Sequence, residues 1–191
     1  MVLSKRFEDA VLYGIRIHGE QTRKGTSIPY VAHLMAVTGI VLENGGTEDE
    51  AIAAFLHDAA EDQGGKETLD EIKRMFGDSV AATVASCTDA WTIPKPPWRQ
   101  RKEAYIKHIA SANHSALLVS LADKLHNARA ILNDYQCLGD ELWERFNASK
   151  GELLWYYRGL ADAFAQTNFK LGLITEFNNV VSRLEEATRQ R

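Results

Sequence analysis

The residues best suited to chemistry lie in the segment 55–62, which reads Phe-Leu-His-Asp-Ala-Ala-Glu-Asp. Four ionisable groups are crowded into its last six positions, and they are His57, Asp58, Glu61 and Asp62. A helix is predicted over 48–56, and the glycines at 64–65 are predicted to end it. The acids would then lie at the negative end of the helix dipole, where carboxylates are disfavoured. A bound cation would offset that imbalance, so the segment indicates a metal site.

Two polar residues elsewhere in the chain extend this candidate set. His33 lies about one turn into a predicted second helix, and Asp123 is embedded in an apolar helical segment. Taken singly, His33 is typical of a hydrogen-bonded structural histidine. A buried carboxylate needs a partner, and Lys124 could serve Asp123 only if its side chain folds back, because adjacent helix positions face different ways. The combined imidazole and carboxylate set favours Mn²⁺, Fe²⁺ or Mg²⁺ with water over closed structural zinc: His33, His57, Asp58 and Asp123.

The acids Glu61 and Asp62 follow the His-Asp pair by four residues each. On a helix this spacing places them on the same face as the proposed ligands. Two alternatives remain open: a solvated acidic helix end, and a surface network that pairs these acids with Lys66 or Arg74. His108, His114 and His126 show no partner pattern and are predicted to be structural or surface residues.

The composition of the chain is that of an ordinary globular protein. It has 191 residues, of which 45% are hydrophobic and 25% are charged, so a single domain over 1–191 with a sizeable core is expected. The N-terminus lacks a secretory signal, apolar runs of membrane-spanning length are absent, and Cys87 and Cys137 are isolated, all of which predicts a cytoplasmic protein. The net charge of −4 argues against a general nucleic-acid binder. Basic residues at 23–24 and within 95–102 leave room for an anionic small molecule.

Helical periodicity dominates, and alternating strand patterns are absent, so we predict an all-α fold of eight to ten helices. The segment 91–98 contains three prolines and is predicted to be non-helical. Thr47 and Glu50 form a capping-box pattern. An apolar stripe on the terminal helix is predicted to pack on the domain, with self-association as the second interpretation. The expected helices cover 4–19, 29–44, 48–56, 69–76, 79–88, 99–110, 115–135, 140–166 and 170–190.

The order of the candidate ligands matches the H…HD…D pattern of HD-superfamily metal-dependent phosphohydrolases. Further segments resemble the hydrolase domain of the RelA/SpoT family, and they read HGEQTR at 18–23, YVAH at 30–33, HDAAED at 57–62, FG at 76–77 and LADKLHN at 121–127. The resemblance covers roughly residues 5–165, and 170–190 would be an extra helix. Because no synthetase domain is attached, the chain is similar to a stand-alone small alarmone hydrolase.

The resemblance implies an activity and a role for each matching residue. The activity is hydrolysis of guanosine 3′,5′-bis(diphosphate) and its triphosphate relative, usually with Mn²⁺, to release pyrophosphate from the ribose 3′ position. Glu61 and Asp62 would orient and deprotonate the attacking water. Arg23, with Lys24 beside it, would contact guanine, Asn127 would lie near the ribose and 3′ phosphates, and Lys95 would reach the distal diphosphate. The pocket-closing positions are Lys150, Trp155 and Tyr156.

Other functions are compatible with the same residues. The nearest is the same chemistry on another nucleotide, such as an adenine alarmone, NADPH or a nucleoside monophosphate. Fe²⁺, Mg²⁺ or Zn²⁺ could replace Mn²⁺, and a homo-oligomer is compatible with the sequence. A non-catalytic nucleotide sensor is the alternative from another class. Glu61 and Asp62 argue against it, because a pure binder does not need acids beside its metal ligands.

Overall fold

The elements of the fold come from a computed structural model that describes residues 2–91, 94–169 and 172–189. These residues form ten α-helices and one 3-10 helix, and extended pairing among them is limited to an isolated bridge between Thr22 and Pro29. The helices are α1 Lys5–His18, α2 Val31–Glu43, α3 Glu48–Leu56, α4 Ala59–Asp62, α5 Gly65–Phe76, α6 Asp78–Cys87, α7 Trp98–Ile109, α8 His114–Leu138, the 3-10 helix Gly139–Arg145, α9 Lys150–Ala165 and α10 Gly172–Arg189. The all-α prediction is confirmed.

Helix α8 is the central element of the fold. Asn113 caps its start by accepting a hydrogen bond from the Ala116 amide, which satisfies one of the free N–H groups of the first turn. Helices α2, α3, α6, α9 and α10 pack around it. Its buried face includes Leu121 and Leu125, both fully buried. A polar residue on that face, Asp123, is thereby held in the core.

Helix α3 is fixed at its start by a capping box and near its end by close packing against α1. The predicted capping box is present, since Thr47 accepts from the Glu50 amide and the Glu50 carboxylate accepts from the Thr47 amide. Against α1 the approach is close, because a Cβ atom at Gly14 would lie 2.7 Å from Phe55 Cε1. Only glycine at this position allows such contact, and the packing sets where the end of α3 lies.

The predicted helix did not continue through the acidic cluster, and this part of the prediction was wrong. Helix α3 ends at Leu56, and α4 is a separate single turn with Asp58 at its N-cap. Gly64 and Gly65 have φ angles of +121° and +64°, which let the chain reverse and start α5 at once. Glu61 and Asp62 therefore lie in the first turn of α4 rather than at the end of a long helix, so the dipole argument does not apply to them.

The single helix predicted over 140–166 is also wrong. Gly139, with φ +60°, ends α8, and a 3-10 helix follows before α9 begins at Lys150. Ser149 and Glu152 form a capping box at this start, a sequence signal that the helical periodicity had concealed. The remaining predicted boundaries differ by up to about four residues, with α5 starting at Gly65 rather than at 69.

Helix α10 packs against α8 and α9, as its apolar stripe predicted. Phe177, Val181 and Leu184 are buried, and Ile174 is partly buried against the core. The predicted positions Lys170, Leu171 and Gln190 lie outside the described residues, as do Thr92 and Ile93 of the proline-rich segment. None of the described helices combines the length and the hydropathy that crossing a membrane requires.

Candidate active site

Four side chains from three regions of the fold converge on one point. His33 comes from the first turn of α2, His57 and Asp58 from the junction of α3 and α4, and Asp123 from the middle of α8. The Nε2 atom of His57 lies 2.9 Å from Asp58 Oδ2 and 3.6 Å from Asp123 Oδ1. The Nε2 atom of His33 lies 3.2 Å from Asp123 Oδ1 and 3.6 Å from Asp58 Oδ2.

The donor atoms of this cluster fit a divalent cation. The ligand atoms of His33, His57 and Asp58 all lie within 4.8 Å of one another. Both histidine Nε2 atoms are buried, and neither has a hydrogen-bond partner among the described residues. A buried nitrogen without a partner is costly, and here two such atoms face two carboxylate oxygens. A mixed set of imidazole nitrogens and carboxylate oxygens suits Mn²⁺, Fe²⁺ or Zn²⁺.

The charges of the cluster favour ligation. Burial alone would raise the pKa of Asp58 and Asp123, but His57 and Lys124 more than offset this and hold the pKa of each carboxyl well below its ordinary value. The carboxylates are therefore ionised, as metal ligands must be. Burial alone would lower the pKa of His57, but the two carboxylates raise it well above its usual value, so a cation that binds Nε2 takes the place of a proton. The site attracts positive charge.

Neighbouring side chains fix the two carboxylates. The Tyr30 hydroxyl donates to Asp58 Oδ2 at 2.5 Å. Asn127 Nδ2 donates to Asp123 Oδ1 at 2.5 Å, and Lys124 Nζ donates to Asp123 Oδ2 at 2.6 Å. The Lys124 side chain thus folds back onto Asp123. The sequence analysis required this conformation for Lys124 to be the partner of Asp123. Such outer contacts orient ligands and are part of a metal site.

The two histidines of the cluster have different outer partners. His57 Nδ1 donates to the carbonyl oxygen of Ala54 at 2.8 Å, whereas His33 Nδ1 lies 2.8 Å from Nδ1 of His126. Burial, with smaller contributions from His33 and Arg23, lowers the pKa of His126 to about 4. His126, predicted to be a structural or surface residue, thus contacts one of the four clustered side chains, which the sequence analysis did not predict. Its spacing of three residues after Asp123, which puts both on one face of α8, was the available signal.

Glu61 and Asp62 are held by groups from other elements. Glu61 Oε1 accepts from Lys95 Nζ at 2.7 Å, and its Oε2 accepts from the backbone amide of Asp89 at 3.1 Å. Asp62 Oδ2 accepts from Gln21 Nε2 at 2.8 Å. Burial raises the pKa of both acids, and Asp89 adds to this for Glu61, as Asp58 does for Asp62. A carboxylate with a raised pKa is the better proton acceptor near neutral pH.

The surface network that the sequence left open, in which these acids pair with Lys66 or Arg74, does not form in the described part of the chain. Arg74 contacts Glu71 on its own helix, with 3.4 Å between the nitrogen and the oxygen. The ion pair of Glu61 is instead with Lys95, whose side chain is 39% exposed while that of Glu61 is 18% exposed. Glu61 therefore forms a partly buried ion pair with the 94–97 loop.

Asp89 pairs with two of the cations that the sequence grouped into a basic cluster. Arg101 Nη1 donates to both carboxylate oxygens of Asp89, at 2.6 and 2.8 Å, and Lys102 Nζ donates at 2.5 Å. Burial alone would raise the pKa of Asp89, but Lys102 and Arg101 bring it down to about 2. Nearby, the Arg99 guanidinium lies 3.2 Å from the ring centroid of Trp155. These contacts leave Lys95 as the member of that cluster which contacts a proposed catalytic residue.

A cavity of about 340 Å³ lies between the loop after α1 and helix α8. Its walls include Arg23, Lys24, Asn127 and Tyr157. Arg23 Nη2 donates to Asn127 Oδ1 at 2.8 Å, and Asn127 also binds Asp123, so one amide side chain connects the cavity with the metal ligands. A nucleotide base has the size and flatness for a cavity of this kind.

The other residues that the resemblance placed at the nucleotide lie elsewhere. Lys150 Nζ donates to Asp140 at 3.0 Å. Trp155 packs edge-on against Trp98 and beneath Arg99. Tyr156 is buried, and its hydroxyl has no partner among the described residues. These three do not line the cavity, where the adjacent Tyr157 is found instead, and their assignment to the nucleotide stays a prediction.

This all-helical fold with a His, His-Asp and Asp cluster defines the HD domain family, and the chain belongs to it, because residues 10–148 match the family model described as "HD domain". Among its relatives is guanosine-3′,5′-bis(diphosphate) 3′-pyrophosphohydrolase MESH1 of Xenopus tropicalis, which is 37% identical over 124 residues, or 63% of this chain and 66% of the relative. The Homo sapiens protein of the same name is 36% identical over the same coverage. The chain thus aligns with just under two thirds of the length of these relatives.

Solved structures share the fold over most of the chain. A structure titled "A metazoan ortholog of SpoT hydrolyzes ppGpp and plays a role in starvation responses" superimposes with a TM-score of 0.74 at 25% identity, covering 100% of this chain and 98% of the other. A Listeria monocytogenes EGD-e structure gives a TM-score of 0.69 at 27% identity, covering 82% and 99%. The resemblance to the HD superfamily is thereby confirmed.

Proposed function

We propose that this protein hydrolyses guanosine 3′,5′-bis(diphosphate) and its triphosphate relative at the ribose 3′ position. The observation that carries the proposal is the convergence of two partnerless histidine nitrogens and two ionised carboxylates beside Glu61 and Asp62. The relatives named as 3′-pyrophosphohydrolases, and the superimposed structure whose title names ppGpp hydrolysis, support the choice of substrate.

The metal would be held by His33, His57, Asp58 and Asp123, with Mn²⁺ as the proposed ion. A divalent cation bound there lowers the pKa of a water molecule and polarises a phosphoryl oxygen. The protein supplies the geometry: Tyr30 orients one carboxylate, and Asn127 with Lys124 orients the other. Because these donors are fixed before the substrate arrives, little reorganisation is needed during the reaction.

Glu61 is the proposed general base. Its carboxylate takes a proton from the attacking water, whose oxygen forms a bond to the phosphorus next to the ribose 3′ oxygen. The bond between that phosphorus and the 3′ oxygen breaks, the 3′ oxygen acquires a proton, and pyrophosphate leaves. The Asp89 amide keeps the Glu61 carboxylate in place, and Asp62, fixed by Gln21, orients the same water.

The cavity beside the metal ligands is the proposed purine site. Arg23 presents a planar guanidinium that can stack on a base and donate hydrogen bonds, and Asn127 holds it there. Lys24 donates to Asn147 at 3.1 Å and keeps its charge close to the cavity. Lys95, which donates to Glu61 at 2.7 Å, is proposed to meet a second phosphate group. Lys150, Trp155 and Tyr156 remain proposed as residues that close over the nucleotide.

We place the protein in the cytoplasm. Cys87 and Cys137 are both free, as expected of a compartment that keeps thiols reduced. The nucleotide substrate is also an intracellular class of molecule.

A substrate panel tests the proposal. Purified protein with Mn²⁺ is incubated with guanosine 3′,5′-bis(diphosphate), its adenosine counterpart, NADPH and a nucleoside monophosphate, and the products are separated by ion-exchange chromatography. We expect pyrophosphate and GDP from the first. Orthophosphate as the first product would overturn the assigned bond, and faster turnover of another nucleotide would replace the assigned substrate.

A variant pair tests the metal centre in the same assay. His57→Ala should abolish turnover and lower the Mn²⁺ content while the helical circular dichroism persists. His114→Ala is the matched control, because His114 lies on α8 with a side chain that is 70% exposed. Full turnover by a chelated sample would overturn the metal-dependent mechanism.

A further inference from the structure

The two histidine ligands differ in how firmly their tautomer is set. The acceptor for His57 Nδ1 is the carbonyl oxygen of Ala54. A carbonyl oxygen can only accept, so Nδ1 of His57 carries a proton, and Nε2, the atom that faces Asp58, is the nitrogen left to bind a cation. For His33 the corresponding partner is a ring nitrogen, Nδ1 of His126, at 2.8 Å. A ring nitrogen can donate or accept, so the partner does not decide the tautomer by its chemistry alone.

One proton lies between the two Nδ1 atoms, and either ring can carry it. If His126 donates, the Nδ1 lone pair of His33 is used and the proton of neutral His33 lies on Nε2, where Asp123 Oδ1 at 3.2 Å would accept it. In that arrangement His33 has no lone pair for a cation. If His33 donates from Nδ1, its Nε2 lone pair points at the carboxylates. Only the second arrangement makes His33 a ligand.

We propose that His126 is a positioning residue for the metal site. Its Nδ1 accepts a hydrogen bond from Nδ1–H of His33, which keeps the His33 Nε2 lone pair directed at the cluster. The ring centroids lie 4.9 Å apart, and His33 is about 1% exposed, so water cannot readily substitute for this partner. His126 is therefore required for a fully formed donor set, although it touches neither substrate nor metal.

The placement of His126 on α8 supports this role. It follows Asp123 by three residues, so one helix face supplies both a metal ligand and the group that prepares another ligand on α2. Asn127, one residue further, binds Asp123. Outer partners of this type commonly change metal affinity by about 10- to 100-fold when they are removed.

The inference rests on the proposed metal site but not on the proposed substrate, and its first test needs neither metal nor turnover. Long-range proton–nitrogen correlation spectra of ¹⁵N-histidine-labelled, metal-free protein report the tautomer of each imidazole. We expect His33 in the Nδ1–H form in the unmodified protein. The Nε2–H form would overturn the proposal.

The second test uses three variants and Mn²⁺ titration by calorimetry. His126→Leu should lower Mn²⁺ affinity by about 10- to 100-fold. His126→Asn should retain most of the affinity, because Oδ1 of asparagine and Nδ1 of histidine are both bonded to Cγ and both can accept. His108→Leu is the control, since His108 is also half-buried but contacts Ser86 on α6.

The outcomes separate this inference from the proposed function. Unchanged affinity in His126→Leu, or equal losses in the Leu and Asn variants, would overturn the positioning role. If all the metal results hold while no nucleotide of the panel is cleaved, the proposed function fails and the role of His126 stands. Circular dichroism of each variant identifies any loss of helix. If a variant has lost helix, the tautomer of His33 measured in the unmodified protein decides whether the proposal stands.

Discussion

Replacing Glu61 with glutamine removes the capacity to take a proton while leaving the size of the side chain nearly unchanged. General-base groups contribute about 10²- to 10⁴-fold to turnover, which corresponds to about 2.7–5.4 kcal/mol of activation free energy. We expect a loss of turnover in that range, measured from initial rates at saturating substrate and Mn²⁺. The loss should fall on turnover rather than on metal binding, because the four ligand atoms belong to other residues.

The same substitution should affect stability only slightly. The amide oxygen of the glutamine can still accept from the Asp89 amide, as Glu61 Oε2 does at 3.1 Å. The ion pair with Lys95 is lost, but Lys95 is 39% exposed, and an exposed pair contributes about 1 kcal/mol or less. Urea unfolding should therefore give a free energy of unfolding within about 1 kcal/mol of the unmodified protein.

The control for this experiment is Glu103→Gln, which removes another partly exposed ion pair, that between Arg99 and Glu103 at 2.8 Å. It should leave turnover unchanged. Calorimetric titration with Mn²⁺ completes the comparison. A loss of Mn²⁺ affinity in step with turnover would make Glu61 a ligand, and a loss of turnover below about tenfold would refute its role as the base.

Further predictions concern pH, binding and stability. Burial raises the pKa of Glu61 and the reaction needs the carboxylate, so kcat/KM should fall as pH falls through that raised pKa, in a limb absent from the Gln variant. Arg23→Ala should raise KM more than it lowers kcat, as initial rates will show. Lys95→Ala should weaken binding of 5′-diphosphorylated nucleotides more than of analogues lacking that group, measured by calorimetry. The pKa of Asp89 is lowered from 3.8 to about 2. Its contribution to stability is therefore present above pH 4 and is lost as pH falls toward 2. Urea unfolding of Asp89→Asn should show a lower free energy of unfolding than the unmodified protein at pH 7, and this difference should shrink at low pH.

Three of the four proposed metal ligands could be picked out because they break a local rule that the sequence displays, whereas His33 taken singly does not. Asp123 is a carboxylate within an apolar helical segment, and His57-Asp58 begins a dense acidic cluster after a buried helix. Such conflicts between residue type and surroundings mark functional sites. The four residues then matched a known order along the chain, and the structure brings all four together.

The outer contacts of the site could not be predicted in the same way. Tyr30 reaches Asp58 across 28 residues, and His33 reaches His126 across 93. Neither pair has a local spacing that distinguishes it from chance, since the first depends on how α2 packs on α3 and the second on how α2 packs on α8. The start of α9 was missed for another reason: the 3-10 helix Gly139–Arg145 has a buried apolar residue of its own, Leu142, so it was merged with α9 into one predicted helix.

The number of basic residues in a segment was a poor guide to where positive charge is available for a ligand. The sequence places several cations within 95–102, but Arg101 and Lys102 both pair with Asp89, whose single negative charge offsets one of the two. By contrast, Arg23 and Lys24 bind the neutral amides of Asn127 and Asn147, so their positive charges are not cancelled by these contacts. An anionic nucleotide next to an acidic metal site needs cations that are still free to interact with phosphate. The structure supplies them from the cavity side of the ligands, where the sequence showed only two basic residues in a loop.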